Sequence, residues 1–216
     1  MTYFLNKLIA RKFPRKLKAT PLHATFKSRN GLFVHIPKAA GSAVCMSLFG
    51  HQVGHKKIAD YYFSDYQGTA SLFKFAFVRH PITRFESSFH FLRSNSPFLS
   101  DKGMQQQLAK FADINAFCDA FLADPKSYSS LHFVPQYQFL SYTGNRKDKQ
   151  IGVDYIGRFE SIDEDFATVC QQLGVSRELP QLNVNKQLQR LSLDAERSER
   201  LREYYDTDFY LFGYNL

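Results

Sequence analysis

Lys38, Gly41 and Ser42 stand in a short turn, residues 37–42 (PKAAGS), between an apolar run at 31–36 (GLFVHI) and a second at 43–49. Residues of these types in this order suit the binding of an anion. A glycine-bearing turn that opens a helix presents backbone N–H groups with no intrahelical partner, and the positive end of the helix dipole points the same way. Lys38 adds a full charge on a long stem and Ser42 a hydroxyl donor, while Pro37, Ala39, Ala40 and Ala43 complete the backbone of the cradle. The spacing is not that of a Walker A loop, which has a longer frame and adjacent Lys and Ser/Thr, so ordinary nucleoside-triphosphate hydrolysis is poorly supported. A plain strand-to-helix turn with an exposed lysine would have the same composition.

A second group of candidates surrounds Arg79-His80-Pro81: Arg79 itself, Arg84 and Ser87. Arg79 follows residues 72–78 (LFKFAFV), an almost wholly apolar run expected to be a central strand covered on both faces. A guanidinium fixed at such a strand end can hold a phosphate through two parallel hydrogen bonds. Ser87 lies about two helical turns further on, near enough in principle to share one anion. The alternative for Arg79 is a structural ion pair.

The elements that must position these residues follow from periodicity. Residues 31–36 read as a buried strand and 43–49 as a helix; a loop carrying Gly50-His51 and Gly54-His55 leads into a helical stretch at 56–63, and 65–71 is polar and turn-like. Pro81 suits the first position of a helix over 82–93, which carries Phe85, Phe89 and Leu92 on one face. A loop is expected at 94–103 and one or two helices at 104–122. A third strand is expected at 153–159, then a helix at 162–173 capped by Gly174, with Asp163 and Glu164 complementing its dipole. A last helix is expected over 192–205, followed by an aromatic tail. Strands alternating with helices imply an α/β fold, a P-loop-like three-layer arrangement with a central, mostly parallel sheet flanked by helices. In such sheets ligands bind at the carboxyl ends of the strands, where both candidate turns fall.

The chain of 216 residues suits a basic N-terminal arm, 1–29, and a single domain, 30–216. The net charge of +8 favours an anionic partner, and much of it comes from Lys7, Arg11, Lys12, Arg15, Lys16, Lys18, Lys27 and Arg29, a stretch without acidic residues. Cys45, Cys118 and Cys170 are odd in number and far apart, so buried reduced thiols are expected rather than disulfides or zinc ligands. No metal-ligand spacing occurs. Residues 3–10 are too short and too interrupted to span a membrane.

Taken together, FVHIPKAAGS and the later FAFVRHPITRFESSFHF resemble the 5′-phosphosulfate loop and the 3′-phosphate segment of sulfotransferases that use 3′-phosphoadenosine 5′-phosphosulfate (PAPS). The resemblance is closest to the carbohydrate branch that includes the heparan sulfate 2-O-sulfotransferases and bacterial relatives. It continues through HFVPQYQFL (132–140), DYIGRFESIDEDF (154–166), LPQLNV (179–184) and DFYLFGY (208–214), and covers about 30–214.

That resemblance implies roles by position. Lys38 would contact the bridging region of the phosphosulfate, Gly41 and Ser42 with the neighbouring backbone would cradle the 5′-phosphate, and Arg79 and Ser87 would hold the 3′-phosphate. Ala39 and Ala43 depart from the pattern at positions where hydroxyl residues are expected. Arg158, with Glu160, falls at a third strand end close to the cofactor region, and Asn183, with Lys186, in a segment that would cover the nucleotide. A sugar hydroxyl needs a base. His55, in GHKKIADYY, is similar in position to a histidine of the 2-O-sulfotransferases, with His51 in reserve. His35 and His80 read as structural, and His132 with Gln136 as candidates for touching the acceptor or shaping its pocket.

The expected reaction is a direct sulfuryl transfer to a glycan or other hydroxyl acceptor, with PAPS as co-substrate and no metal. Two rivals are a nucleotide-dependent kinase, which lacks a strand-end aspartate for Mg²⁺, and a basic nucleic-acid or membrane-surface binding protein. No nucleic-acid motif supports nucleic acid as a partner. A basic amphipathic arm would allow peripheral membrane contact. The expected location is the cytoplasm, including the inner membrane surface.

Overall fold

Short runs rich in apolar residues form three strands in the computed structural model, which describes residues 22–94, 98–142, 150–180 and 192–215. They are β1 (Gly31–Val34), β2 (Phe73–Val78) and β3 (Tyr155–Arg158). All pair in parallel in the order β1-β2-β3. The sheet and its flanking helices make an α/β fold, as expected. Among the described residues the helices are α1 (Ala24–Arg29), α2 (Gly41–Phe49), α3 (Ile58–Ser64), α4 (Tyr66–Ser71), α5 (Pro81–Arg93), α6 (Lys102–Leu108), α7 (Ile114–Ala123), α8 (Tyr137–Leu140), α9 (Ile162–Leu173), α10 (Ala195–Tyr204) and α11 (Asp206–Phe212).

The chain divides into two compact units, residues 1–78 with 136–182 and residues 79–135 with 183–216. In the first, β2 is central: Phe75, Ala76, Phe77 and Val78 are all buried. Its one cation, Lys74, is buried too, and its Nζ donates to the Leu72 carbonyl (2.7 Å) and to Asp154 (2.8 Å). A buried charge is tolerated when it is paired in this way. Helix α1 lies within the stretch expected to be an arm, yet its Phe26 is fully buried against Phe49 and Tyr61.

The second unit is held by an aromatic cluster. Phe85 and Phe89 of α5, Phe117 and Phe121 of α7, and Phe133 pack with Leu201, Tyr205 and Phe209. Arg197 and Arg200 of α10 bond Asp119 of α7 at 2.6 and 2.7 Å. Pro81 opens α5 as expected.

Several expectations change. Residues 66–71 are a helix, not a turn, because the Asp65 carboxylate caps it by accepting from the Gly68 N–H (2.8 Å). The loop expected at 94–103 contains a 3-10 turn, Leu99–Asp101, and the start of α6. The aromatic tail is helical in α11, closed by Gly213 at φ 61°. The segment at 104–122 is two helices, α6 and α7. All three cysteines are buried and free.

Candidate active site

The carboxyl end of β1 runs through His35 and Ile36 into the turn that starts α2. Lys38 (φ 67°) and Ala40 (φ 60°) both lie in the left-handed region, which costs a residue with a Cβ on the order of 1 kcal/mol or more. Ala40 is the N-cap of α2, with no side-chain cap. Its carbonyl accepts from Ala43 (3.0 Å) and Val44 (3.3 Å). The amides of Gly41 and Ser42, first in the helix, have no helical acceptor. Pro37, Ala39, Gly41 and Ala43 are buried, Lys38 and Ala40 half-buried, and Ser42 exposed.

His35 is 5% exposed and lies directly beneath this turn. A Cβ at position 41 would fall 1.9 Å from its Cδ2 and 2.2 Å from its Nε2, so only glycine lets the ring and the helix start approach so closely. The His35 ring stacks on Phe33, and its Nδ1 lies 3.7 Å from the Cys45 sulfur. Burial, helped by the proximity of His55, pushes its pKa down to about 3, so the ring is neutral near pH 7. Burial likewise lifts the Cys45 thiol to about 11, which keeps it protonated.

His55 is half-buried and reaches back to the same place. Its ring centroid is 4.1 Å from that of His35, and its Nδ1 is 2.9 Å from the His35 carbonyl oxygen. A carbonyl only accepts, so Nδ1 carries the hydrogen and the neutral ring keeps its lone pair on Nε2. Gly54, at φ 73°, makes the turn that precedes it.

Arg158 ends β3, where it pairs with Val78, and is exposed. Its N–H donates to Asp165 (2.7 Å), which also accepts from Ser161 (2.7 Å) and the Tyr155 hydroxyl (2.5 Å). Burial works to raise the Asp165 pKa, but these donors outweigh it and hold the carboxyl below its ordinary value. In the second unit Arg79, the residue after β2, donates from Nε to the Thr83 hydroxyl (3.1 Å), which itself donates to the His80 carbonyl (3.2 Å). Ser87 is buried two turns along α5.

A family model described as the sulfotransferase family matches residues 26–215. The chain belongs to the sulfotransferase family. Neither the search of curated proteins nor that of solved structures gives a match. No helix among the described residues of this sulfotransferase is long and apolar enough to cross a membrane. It transfers sulfuryl groups, a chemistry that calls for an anion cradle and a proton acceptor.

Several candidate side chains of the sulfotransferase are engaged with partners of their own. The exposed His51 faces Thr25 (3.3 Å from Nε2) and the Gln52 carbonyl (3.1 Å from Nδ1). Arg84, grouped by sequence with Arg79 and Ser87, is fully buried and donates to the carbonyls of Val134 (3.0 Å) and Leu131 (3.4 Å). It braces a turn. His80 meets the Asn215 carbonyl (2.8 Å) and packs on Phe209 and Tyr214, a structural role as expected. His132 lies 3.6 Å from Asp101, and Gln136 is fully buried in the first unit. Asn183 and Lys186 lie outside the described residues. What the sequence reading missed is His35: the clue was Gly41, whose absent side chain makes room for a ring.

Proposed function

We propose that this sulfotransferase moves a sulfuryl group from PAPS to a hydroxyl of a carbohydrate or glycan by direct in-line transfer, with His55 as the base. The observation that carries this reading is the 2.9 Å hydrogen bond from His55 Nδ1 to the carbonyl of His35, two residues before the anion-binding turn. It leaves the proton-accepting nitrogen of His55 as Nε2.

The donor's 5′-phosphosulfate is assigned to the backbone of residues 37–43, with Lys38 at the bridging oxygen and the Gly41 and Ser42 amides on the phosphate. Arg79 and Ser87 take the 3′-phosphate, and Arg158 supplies further positive charge at the end of β3. As the acceptor oxygen attacks sulfur, His55 Nε2 takes its proton. The bond between sulfur and the phosphate oxygen breaks, and Lys38 stabilises the charge that develops there. No covalent enzyme intermediate is needed. The net charge of +8 favours an acidic donor and suits an acidic saccharide. The basic residues before α1 are assigned to peripheral contact with an anionic surface in the cytoplasm, which cosedimentation with anionic vesicles tests.

Calorimetric titration with 3′-phosphoadenosine 5′-phosphate, alongside ATP, tests the donor assignment. Micromolar binding that discriminates against ATP and weakens at least about tenfold in Arg79→Ala is expected. Equal binding of both nucleotides, or none, overturns it.

A further inference from the structure

Three groups of polar side chains stand outside the roles assigned so far. Asp119 with Arg197 and Arg200 joins two helices, and Lys74 with Asp154 joins two strands at the amino ends of the sheet. The third is the imidazole of His35, which touches both the phosphate turn and the assigned base.

We propose that His35 is a positioning residue, which fixes the orientation and tautomer of His55 and ties it to the start of α2. The inference rests on the reading of His55 as the base. Three contacts set the geometry. The His35 carbonyl holds the His55 Nδ1 hydrogen at 2.9 Å, the His35 ring lies against the His55 ring at 4.1 Å with 53° between their planes, and the same His35 ring fills the space that a side chain at position 41 would need. On its other side the ring is backed by Phe33 at 5.6 Å and by the Cys45 sulfur at 3.7 Å, so it has little freedom to turn. A neutral ring suits the place. When His55 takes a proton during transfer, a charged neighbour would repel it, whereas burial keeps His35 uncharged.

A side chain that only fills the core would leave His55 unchanged when replaced. The readout is therefore the tautomer of His55 in the full-length, ¹⁵N-labelled protein, observed through long-range ¹H–¹⁵N correlations of the imidazole rings. In the unsubstituted protein His55 is expected as one tautomer, hydrogen on Nδ1 and lone pair on Nε2. The opposite tautomer, or an averaged pair of nitrogens, overturns the proposal whatever the variants do. His35→Ala and, as the milder change, His35→Gln keep the backbone carbonyl but remove the ring packed against His55, so the His55 ring is expected to swing off that carbonyl and its two nitrogens to average. Binding of 3′-phosphoadenosine 5′-phosphate, the check that the variant is folded, should stay within about threefold. An unchanged His55 spectrum in a variant that still binds the nucleotide overturns the positioning role. Failure of the unsubstituted protein to bind the nucleotide overturns the functional reading instead, so the two outcomes are distinguishable.

Discussion

Among the ionisable side chains that each unit buries almost completely, Arg84 of the helical unit and His35 of the sheet-bearing unit solve the problem in opposite ways. In the helical unit Arg84, fully buried, stays in an environment built for a cation: two backbone carbonyls accept from it, and the nearby Asp208 and Tyr205 counter the effect of burial. In the sheet-bearing unit His35, 5% exposed, meets an aromatic ring, a thiol and a second imidazole, and gives up its charge. Burial of a charged group must be offset by partners or avoided by neutralisation. The first solution serves stability, because charge and acceptors lock a turn. The second suits a reactive site, because a neutral ring beside the proposed base adds no charge of its own.

Removing each group's distinctive chemistry should therefore break different properties. The largest effect is expected from Arg84→Leu, which removes a fully buried cation and its bonds to the carbonyls of Leu131 and Val134. A loss of about 3–5 kcal/mol in urea unfolding is expected, as for breaking a buried charge network. A loss below about 1 kcal/mol would mean that Arg84 does not brace the turn and would collapse the contrast. Lys38→Ala should do the reverse. Its side chain is half-buried in a turn whose shape is set by backbone and by buried neighbours. Turnover, followed as release of 3′-phosphoadenosine 5′-phosphate, should fall by about 10²–10³ while the unfolding midpoint stays put. Near-normal turnover would remove Lys38 from the mechanism.

The same division explains what could be read from the sequence. Helix α9 agrees with its expected bounds because apolar spacing, acidic residues in the first turn and Gly174 all act locally. Strand β2 announced itself through an unbroken apolar run. By contrast, α4 has a glycine and no apolar stripe, and only the Asp65 cap, a single carboxylate, signals it. At the site, the turn at 37–42 was legible because its chemistry lies in consecutive residues. The part played by His35 was not, since its contacts with Gly41, Cys45 and His55 depend on how separated stretches fold together. Arg84 shows the same: it was grouped with Arg79 by nearness along the chain, whereas its partners come from residues 131–134.

A smaller effect sharpens the comparison through pH. The unfolded chain protonates His35 near 6.5, whereas the folded protein resists until about 3. Between these values the unfolded state binds the extra proton, so stability rises with pH across that window and is flat above it. The slope from this group is about 1.4 kcal/mol per pH unit, or about 2 kcal/mol between pH 7 and pH 5 once the curvature near 6.5 is included. His35→Gln, which does not titrate, should lose less stability than the unsubstituted protein over that interval, by roughly this amount. Carboxylates contribute equally to both proteins and cancel in the difference. Arg84 supplies the contrast, because a guanidinium does not titrate in this range and Arg84→Leu should shift the whole curve down without tilting it. Urea midpoints at pH 7, 6 and 5 decide it: parallel curves for His35→Gln and the unsubstituted protein would mean that His35 is not held neutral by its burial. The two buried groups would then differ only in their partners, not in charge.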